Sequence, residues 1–369
     1  MTDEVTSAWA YLSRVVEPPC PELAALAAKV GAVEAAERVR RGEAGERIDR
    51  HAEARRDIDC AAEDLAVLAR LGGRLVTADD EEWPLLAFAA FRGIGDRRPQ
   101  GHPPMALWVV GGAALDEVAY RAAAVVGTRA ATAYGEFVAA DLVAGLAGRD
   151  VAVVSGGAYG IDGAAHRSAL AADGLTVAVL AGGIDVPYPA GHTSLLRRVA
   201  ERGLVLSEYP PGVRPARHRF LTRNRLVASL AGATVVVEAG ARSGAANTAA
   251  WARALGRVVC AVPGPVTSSA SVGCHALLRE GARLVTRQVE RRRQTGVRRA
   301  SAPRVAHRRR DRGGLRPAGP SGARSAREPR TLRPVGVPGR PVEAGGPAAR
   351  RHDVAPWSGS SARIVDKTD

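Results

Sequence analysis

Five arginines fall within twelve residues at Arg214, Arg217, Arg219, Arg223 and Arg225, with Phe220 and Asn224 among them. A guanidinium grips phosphate through paired hydrogen bonds and stacks on flat rings, and Phe or Tyr supplies a stacking face. Arg223 and Arg225 are expected to open a helix, where the dipole disfavours cations unless an anion lies nearby. A second group is Val154-Ser155-Gly156-Gly157-Ala158-Tyr159-Gly160-Ile161-Asp162, an apolar run entering a Ser/Gly loop that opens a helix. Free N–H groups and the dipole favour phosphate there, with Ser155 as an added donor. A plain turn that needs glycine for steric reasons is the alternative. Asp162 suits the first turn of the helix and the loop ahead of it. Gly127-Thr128-Arg129 and Arg242-Ser243-Gly244 follow two further apolar runs. The expected anion-contacting set is Gly127, Arg129, Ser155, Gly156, Gly157, Ala158, Gly160, Arg219, Arg223, Asn224, Arg225, Arg242, Ser243 and Gly244. No catalytic residue, cofactor or metal is expected.

The elements that must hold these groups are legible from Leu107 to Val285. Short apolar runs at Leu107–Val110, Ala123–Val126, Val151–Val154, Thr176–Leu180, Leu204–Leu206, Thr234–Val237, Val258–Val262 and Arg283–Val285 read as strands. Helix-period segments lie between most of them, at Thr132–Ala147, Ile161–Ala172, Ser194–Glu201, Arg223–Leu230, Thr248–Leu255 and Val272–Glu280. Strands that are apolar throughout and alternate with helices imply an α/β fold, a mostly parallel sheet covered on both faces. In such sheets ligands meet the turns at the strands' carboxyl ends, where these polar segments fall. Ahead of it, helices from Pro21, at Val33–Arg40 and at Ala52–Leu71 predict a small helical domain over residues 1–75. A polar linker over 76–104 and the Rossmann-like domain over 105–286 follow. Residues 287–369 lose all periodicity and are expected to form a disordered Arg/Gly/Pro-rich tail. It is either a basic arm or the product of a shifted reading frame.

Charge supports this division. The 369-residue chain carries a formal +14, yet residues 287–369 hold 21 basic and 7 acidic side chains, while residues 1–286 hold 31 of each. Any nucleic-acid site in the folded part is therefore a local cluster. Cys20, Cys60, Cys260 and Cys274 form no zinc or disulfide spacing and suit a reducing cytoplasm. Neither a signal peptide nor a membrane-length apolar run is evident.

Taken in order, the motifs resemble the DNA-processing protein A (DprA/Smf) family. Gly127-Thr128-Arg129, Ser155–Asp162, Gly183-Ile184-Asp185 with Tyr188-Pro189, Ser207–Gly212, Arg223-Asn224-Arg225, Glu238 with Ser243-Gly244, and Ala261–Gly264 carry the likeness. It is strong over about 105–286 and looser in the N-terminal helices, which look SAM- or HhH-like. The pattern is departed from at Leu221-Thr222, where a proline is usual after the Phe, at Tyr159, where many relatives are basic, and at His275, where Asn is common. Nothing after residue 287 resembles the winged-helix-like domain that many relatives carry. The resemblance implies sequence-independent binding of single-stranded DNA by a homodimer, without catalysis, and loading of the RecA recombinase during DNA uptake or recombination. The rival is a nucleotide-binding enzyme or sensor related to the phosphoribohydrolases, whose PGGxGT-type turn is missing here. A dinucleotide enzyme fits less well, since Gly156-Gly157-x-x-Gly160 is not GxGxxG.

Overall fold

The computed structural model describes residues 4–286; the tail over 287–369 lies outside the described residues. Helices α1 (Glu4–Val15), α2 (Pro21–Val30), α3 (Ala32–Arg41), α4 (Glu46–Ala52) and α5 (Ala61–Arg70) come first. Then follow β1 (Gly73–Thr77), α6 (Leu85–Phe88) with a 3-10 turn over Ala89–Phe91, β2 (Ala106–Val110), α7 (Leu115–Tyr120) and β3 (Ala122–Val126). Next are α8 (Ala133–Ala147), β4 (Ala152–Ser155), α9 (Ile161–Ala171) and β5 (Thr176–Val179). A 3-10 turn at Ala190–His192, α10 (Thr193–Arg202), β6 (Leu204–Ser207), α11 (Arg217–Ser229) and β7 (Ala233–Val236) lead on to α12 (Gly244–Ala254), β8 (Val258–Ala261), α13 (Val272–Arg279) and β9 (Arg283–Leu284).

The strands form one sheet in the order β1-β2-β6-β5-β4-β3-β7-β8-β9. From β6 to β9 every pairing is parallel, and only β1 and β2 run antiparallel at one edge. The α/β fold with helices on both faces is thus the one expected, here as a mixed nine-stranded sheet.

Alternation along each strand divides the core. Leu107, Val109, Val126, Val154, Val179, Leu206 and Val236 pack with α11 and α12. Trp108, Ala178, Leu180 and Val205 face the N-terminal helices and α10. Val125, Val153 and Val237 face α8 and α9. A sheet buried on both sides needs apolar residues at every position, which is why its strands read as continuous runs.

Several boundaries differ from those expected. The stretch Ala52–Leu71, read as one helix, breaks between α4 and α5. There Tyr11 donates its hydroxyl to the Arg56 carbonyl at 2.9 Å, taking an acceptor that a continuing helix would use. The division drawn at residue 75 falls inside β1, and the stretch read as a linker contributes buried Phe88 and Phe91 to the core. Helix α11 begins at Arg217, so Arg223 and Arg225 lie in its interior and not at its start. The helix-dipole argument for an anion beside them therefore falls away.

Candidate nucleic-acid interface

Strand order reverses direction at β3: β4, β5 and β6 step away on one side, β7, β8 and β9 on the other. At that switch the chain leaves β3 and β7 for helices on opposite faces of the sheet, and a crevice opens at the carboxyl ends of the strands. A cleft of about 950 Å³ lies there, bounded by Gly127–Arg129, Gly156, Arg214–Arg217 and Ser243–Ala245. Gly127 has no room for a side chain, since a Cβ would stand 2.8 Å from Ile161 Cβ and 2.9 Å from the Glu238 carbonyl.

Eight expected contacts line this cleft: Gly127, Arg129, Gly156, Ala158, Arg223, Asn224, Ser243 and Gly244. Ser243 caps α12, its hydroxyl accepting from the Ala246 N–H at 3.2 Å, and aims the positive end of that helix at the cleft. Asn224 donates to Asn247 Oδ1 at 3.1 Å and braces α12 against α11.

The other expected residues serve differently. Ser155 is fully buried and its hydroxyl donates to the Val125 carbonyl at 2.7 Å, so it is spent on the sheet. Gly157 and Gly160 take φ of +71° and +73°, conformations that suit glycine, and shape the loop outside the cleft lining. Arg219 pairs with Glu17, and Arg242 is exposed beside the cleft. Arg225 is fully buried, 2.6 Å from Glu208. Nor is the glycine loop an open anion nest. The Asp162 carboxylate already accepts from the N–H groups of Gly156 at 3.1 Å and Ala158 at 3.4 Å. Burial raises the Asp162 pKa, against the opposing pull of Arg223 and those N–H groups.

Arg223 is buried and donates to the carbonyls of Gly156 (2.7 Å) and Val179, fixing the loop after β4 to the end of β5. Burial lowers its pKa to about 10; Asp162 opposes this, and Arg129 adds to it by repulsion. It remains a cation at neutral pH. An anion between Arg129 and Arg223 would relieve the crowding.

Arg214, Arg217, Tyr188 and Phe220 also line the cleft, although none belongs to the expected set. The signal was available in the spacing. With α11 starting at Arg217, the residues Arg217, Phe220, Leu221 and Asn224 recur at i, i+3, i+4 and i+7 and share one face. Arg129 lies 5.1 Å over the Phe220 ring, and Tyr188 packs on Phe220 with centroids 5.4 Å apart. Among the described residues no carboxylate pairs with Arg129, Arg214 or Arg217, all exposed, whereas Arg14, Arg38, Arg40 and Arg41 of the N-terminal helices are ion-paired. Glu238, the other acid of these turns, is committed to the N–H and hydroxyl of Thr132 at 3.0 and 2.6 Å.

The model of the DNA recombination-mediator protein A family matches residues 74–294. The chain belongs to that family. A Mycobacterium tuberculosis protein named as a DNA processing protein, DprA, is 74% identical over 288 residues, covering 78% of this chain and 74% of its own length. The DNA processing protein DprA of Streptococcus pneumoniae is 42% identical over 172 residues, covering 47% of this chain and 61% of its own. The X-ray structure of a Streptococcus pneumoniae DprA superposes with a TM-score of 0.62 at 29% identity, over 77% of this chain and 95% of that one. The family match begins at Arg74, inside β1, so it takes in the antiparallel edge of the sheet as well as its parallel part.

Proposed function

We propose that the chain binds single-stranded DNA without sequence preference in the switch-point cleft, does no chemistry on it, and acts as a homodimer that passes the strand to a RecA-type recombinase. The carrying observation is the set of exposed, unpaired arginines, Arg129, Arg214 and Arg217, around a cleft that also holds Tyr188 and Phe220. Cations spaced along a groove follow the phosphate backbone, and aromatic rings accept any base. The cleft's size, near the upper end of small-ligand sites at roughly 1,000 Å³, suits a few unstacked nucleotides better than a duplex. The commitment of Glu238 to Thr132 and of Asp162 to the glycine loop supports binding over nucleotide hydrolysis, since each acid already holds its own structure. The family's description as a recombination mediator supports handover to a recombinase. The four free cysteines suit a cytoplasmic location.

Fluorescence anisotropy of the full chain with labelled oligo-dT and with duplex, across a salt series, tests the reading. The single strand should bind more tightly. Arg129→Ala and Arg217→Ala should each weaken it by about tenfold and reduce the log–log salt slope by about 0.7, the counterion release of one phosphate contact. Phe220→Ala should cost about 1–3 kcal/mol with the slope unchanged. Equal affinity for duplex, or arginine variants that bind like wild type, would remove the cleft from DNA binding.

A further inference from the structure

The segment from β6 into the first turn of α11 brings Arg214 and Arg217 to the cleft, and the N-terminal region ties it down at both ends. At one end Arg14, in the last turn of α1, donates to the Pro211 carbonyl at 2.8 Å. The same guanidinium forks onto the buried Asp64 of α5, with both contacts at 2.6 Å. At the other end Glu17, two residues beyond α1, accepts from Arg219 Nε at 2.7 Å and Nη2 at 2.9 Å. His218 Nε2 lies 3.2 Å from the same carboxylate, and Arg55 3.6 Å. Arg219 then donates its remaining nitrogen, Nη1, to the Arg214 carbonyl at 2.6 Å and lies 5.1 Å over the Tyr209 ring. All three guanidinium nitrogens of Arg219 are thereby committed within the protein.

We propose that Arg14 and Glu17 form a two-point clamp, positioning residues of the N-terminal helices that hold the 211–219 arm so that Arg214 and Arg217 meet the strand. Arg219 is part of the clamp and not a phosphate contact. The functional part of this inference rests on the single-strand reading of the cleft. An isolated exposed ion pair contributes little, but here one half-buried carboxylate accepts a forked guanidinium and faces two further basic groups. Burial raises the Glu17 pKa, yet the hydrogen bonds from Arg219 and His218 and the charges of Arg219 and Arg55 outweigh that and hold it below its usual value. The arm it restrains has no regular structure before Arg217 and bears two exposed cations. Ordering such a segment before binding removes a cost that the ligand would otherwise meet.

The test uses the full chain as wild type, Glu17→Ala, Arg219→Ala and the double variant. Each single variant should weaken oligo-dT binding about three- to tenfold with an unchanged salt slope. The double variant should be no weaker than either single one. Amide hydrogen exchange without DNA should quicken over residues 212–219 in Glu17→Ala and stay unchanged in the parallel strands. A salt slope reduced by about 0.7 in Arg219→Ala would make Arg219 a phosphate contact and overturn the clamp. Tighter binding by Glu17→Ala, or unaltered exchange in the arm, would overturn it equally. If wild type ignores oligo-dT while Glu17→Ala still frees the arm, the clamp stands and the single-strand reading falls.

Discussion

Arg223 and Arg225 are two residues apart and chemically identical, yet the fold uses them in different ways. Arg223 fixes the floor of the cleft through the Gly156 and Val179 carbonyls. Arg225 points elsewhere, into a fully buried pair with Glu208 and an Nε contact to the Gln100 carbonyl at 3.1 Å. Removing one member of such a pair leaves the other charged, buried and unpaired. Arg225→Ala should therefore cost about 3–5 kcal/mol in urea unfolding, and it would lose DNA binding only through loss of fold. His166 gives a second residue-scale expectation. It is fully buried, and because the Thr176 hydroxyl donates to the Val153 carbonyl, the 2.8 Å contact from Nδ1 to Thr176 requires an Nδ1–H donor. Its Nε2 is left without a hydrogen-bond partner, and burial lowers the pKa to about 3. The unfolded chain takes up this proton more readily than the folded one. The contribution of neutral His166 is thus complete above its ordinary pKa near 6.5 and is lost progressively as pH falls toward 3. The loss is about 1.4 kcal/mol per unit. Urea midpoints between pH 7 and pH 4.5 should fall more steeply for wild type than for His166→Gln.

At the scale of elements, the cleft is built by turns more than by strands. The turn after β3 is locked to the turn after β7 by the Thr128 N–H on the Glu238 carbonyl at 2.7 Å, and to α9 by the Ile161 N–H on the Thr128 carbonyl at 3.2 Å. Gly127 is the residue that permits this approach, and a methyl group there would push against Ile161 and the Glu238 backbone at once. Gly127→Ala is expected to cost about 1–3 kcal/mol by overpacking, seen as a lower thermal midpoint. Oligo-dT affinity should fall in the protein that remains folded, because Arg129 moves with the turn. The length of α11 matters in the same way. Its first two turns bring Arg217, Phe220 and Asn224 to the cleft, while its later residues Leu226 and Ala228 enter the core.

Across the whole described molecule, the N-terminal helices are part of the sheet's cover. Trp108, Leu180, Ile184 and Val205 are buried in the same cluster as Trp9, Leu12, Leu23 and Val39. Removing residues 1–70 would uncover that face and abolish both clamp contacts to the 211–219 arm. The shortened chain is expected to bind a hydrophobic dye and to associate in sedimentation velocity, since exposed apolar faces of this kind drive association. A monomeric, dye-silent product would mean that the sheet does not depend on these helices.

Strand positions, fold class and family motifs were legible in the residue order, because a parallel sheet buried on both faces writes itself as apolar runs and its turns as glycine-bearing breaks. That the polar turns would gather at the carboxyl ends of the strands was legible too, whereas the strand order that places a cleft among them was not. Nor was the assignment of individual side chains. Local pattern shows that Ser155, Arg219 and Arg225 are polar residues near a strand end, but their partners are the Val125 carbonyl, Glu17 and Glu208, two of them distant in the chain. The missed β1 has the same origin: Arg74-Leu75-Val76-Thr77 is too short to declare itself and becomes a strand by pairing with Trp108 and its neighbours. Hydrogen bonds and ion pairs across such separations exist only once the chain has closed on itself. Tertiary structure alone therefore decided which arginines face solvent around the cleft and which are spent on holding the fold.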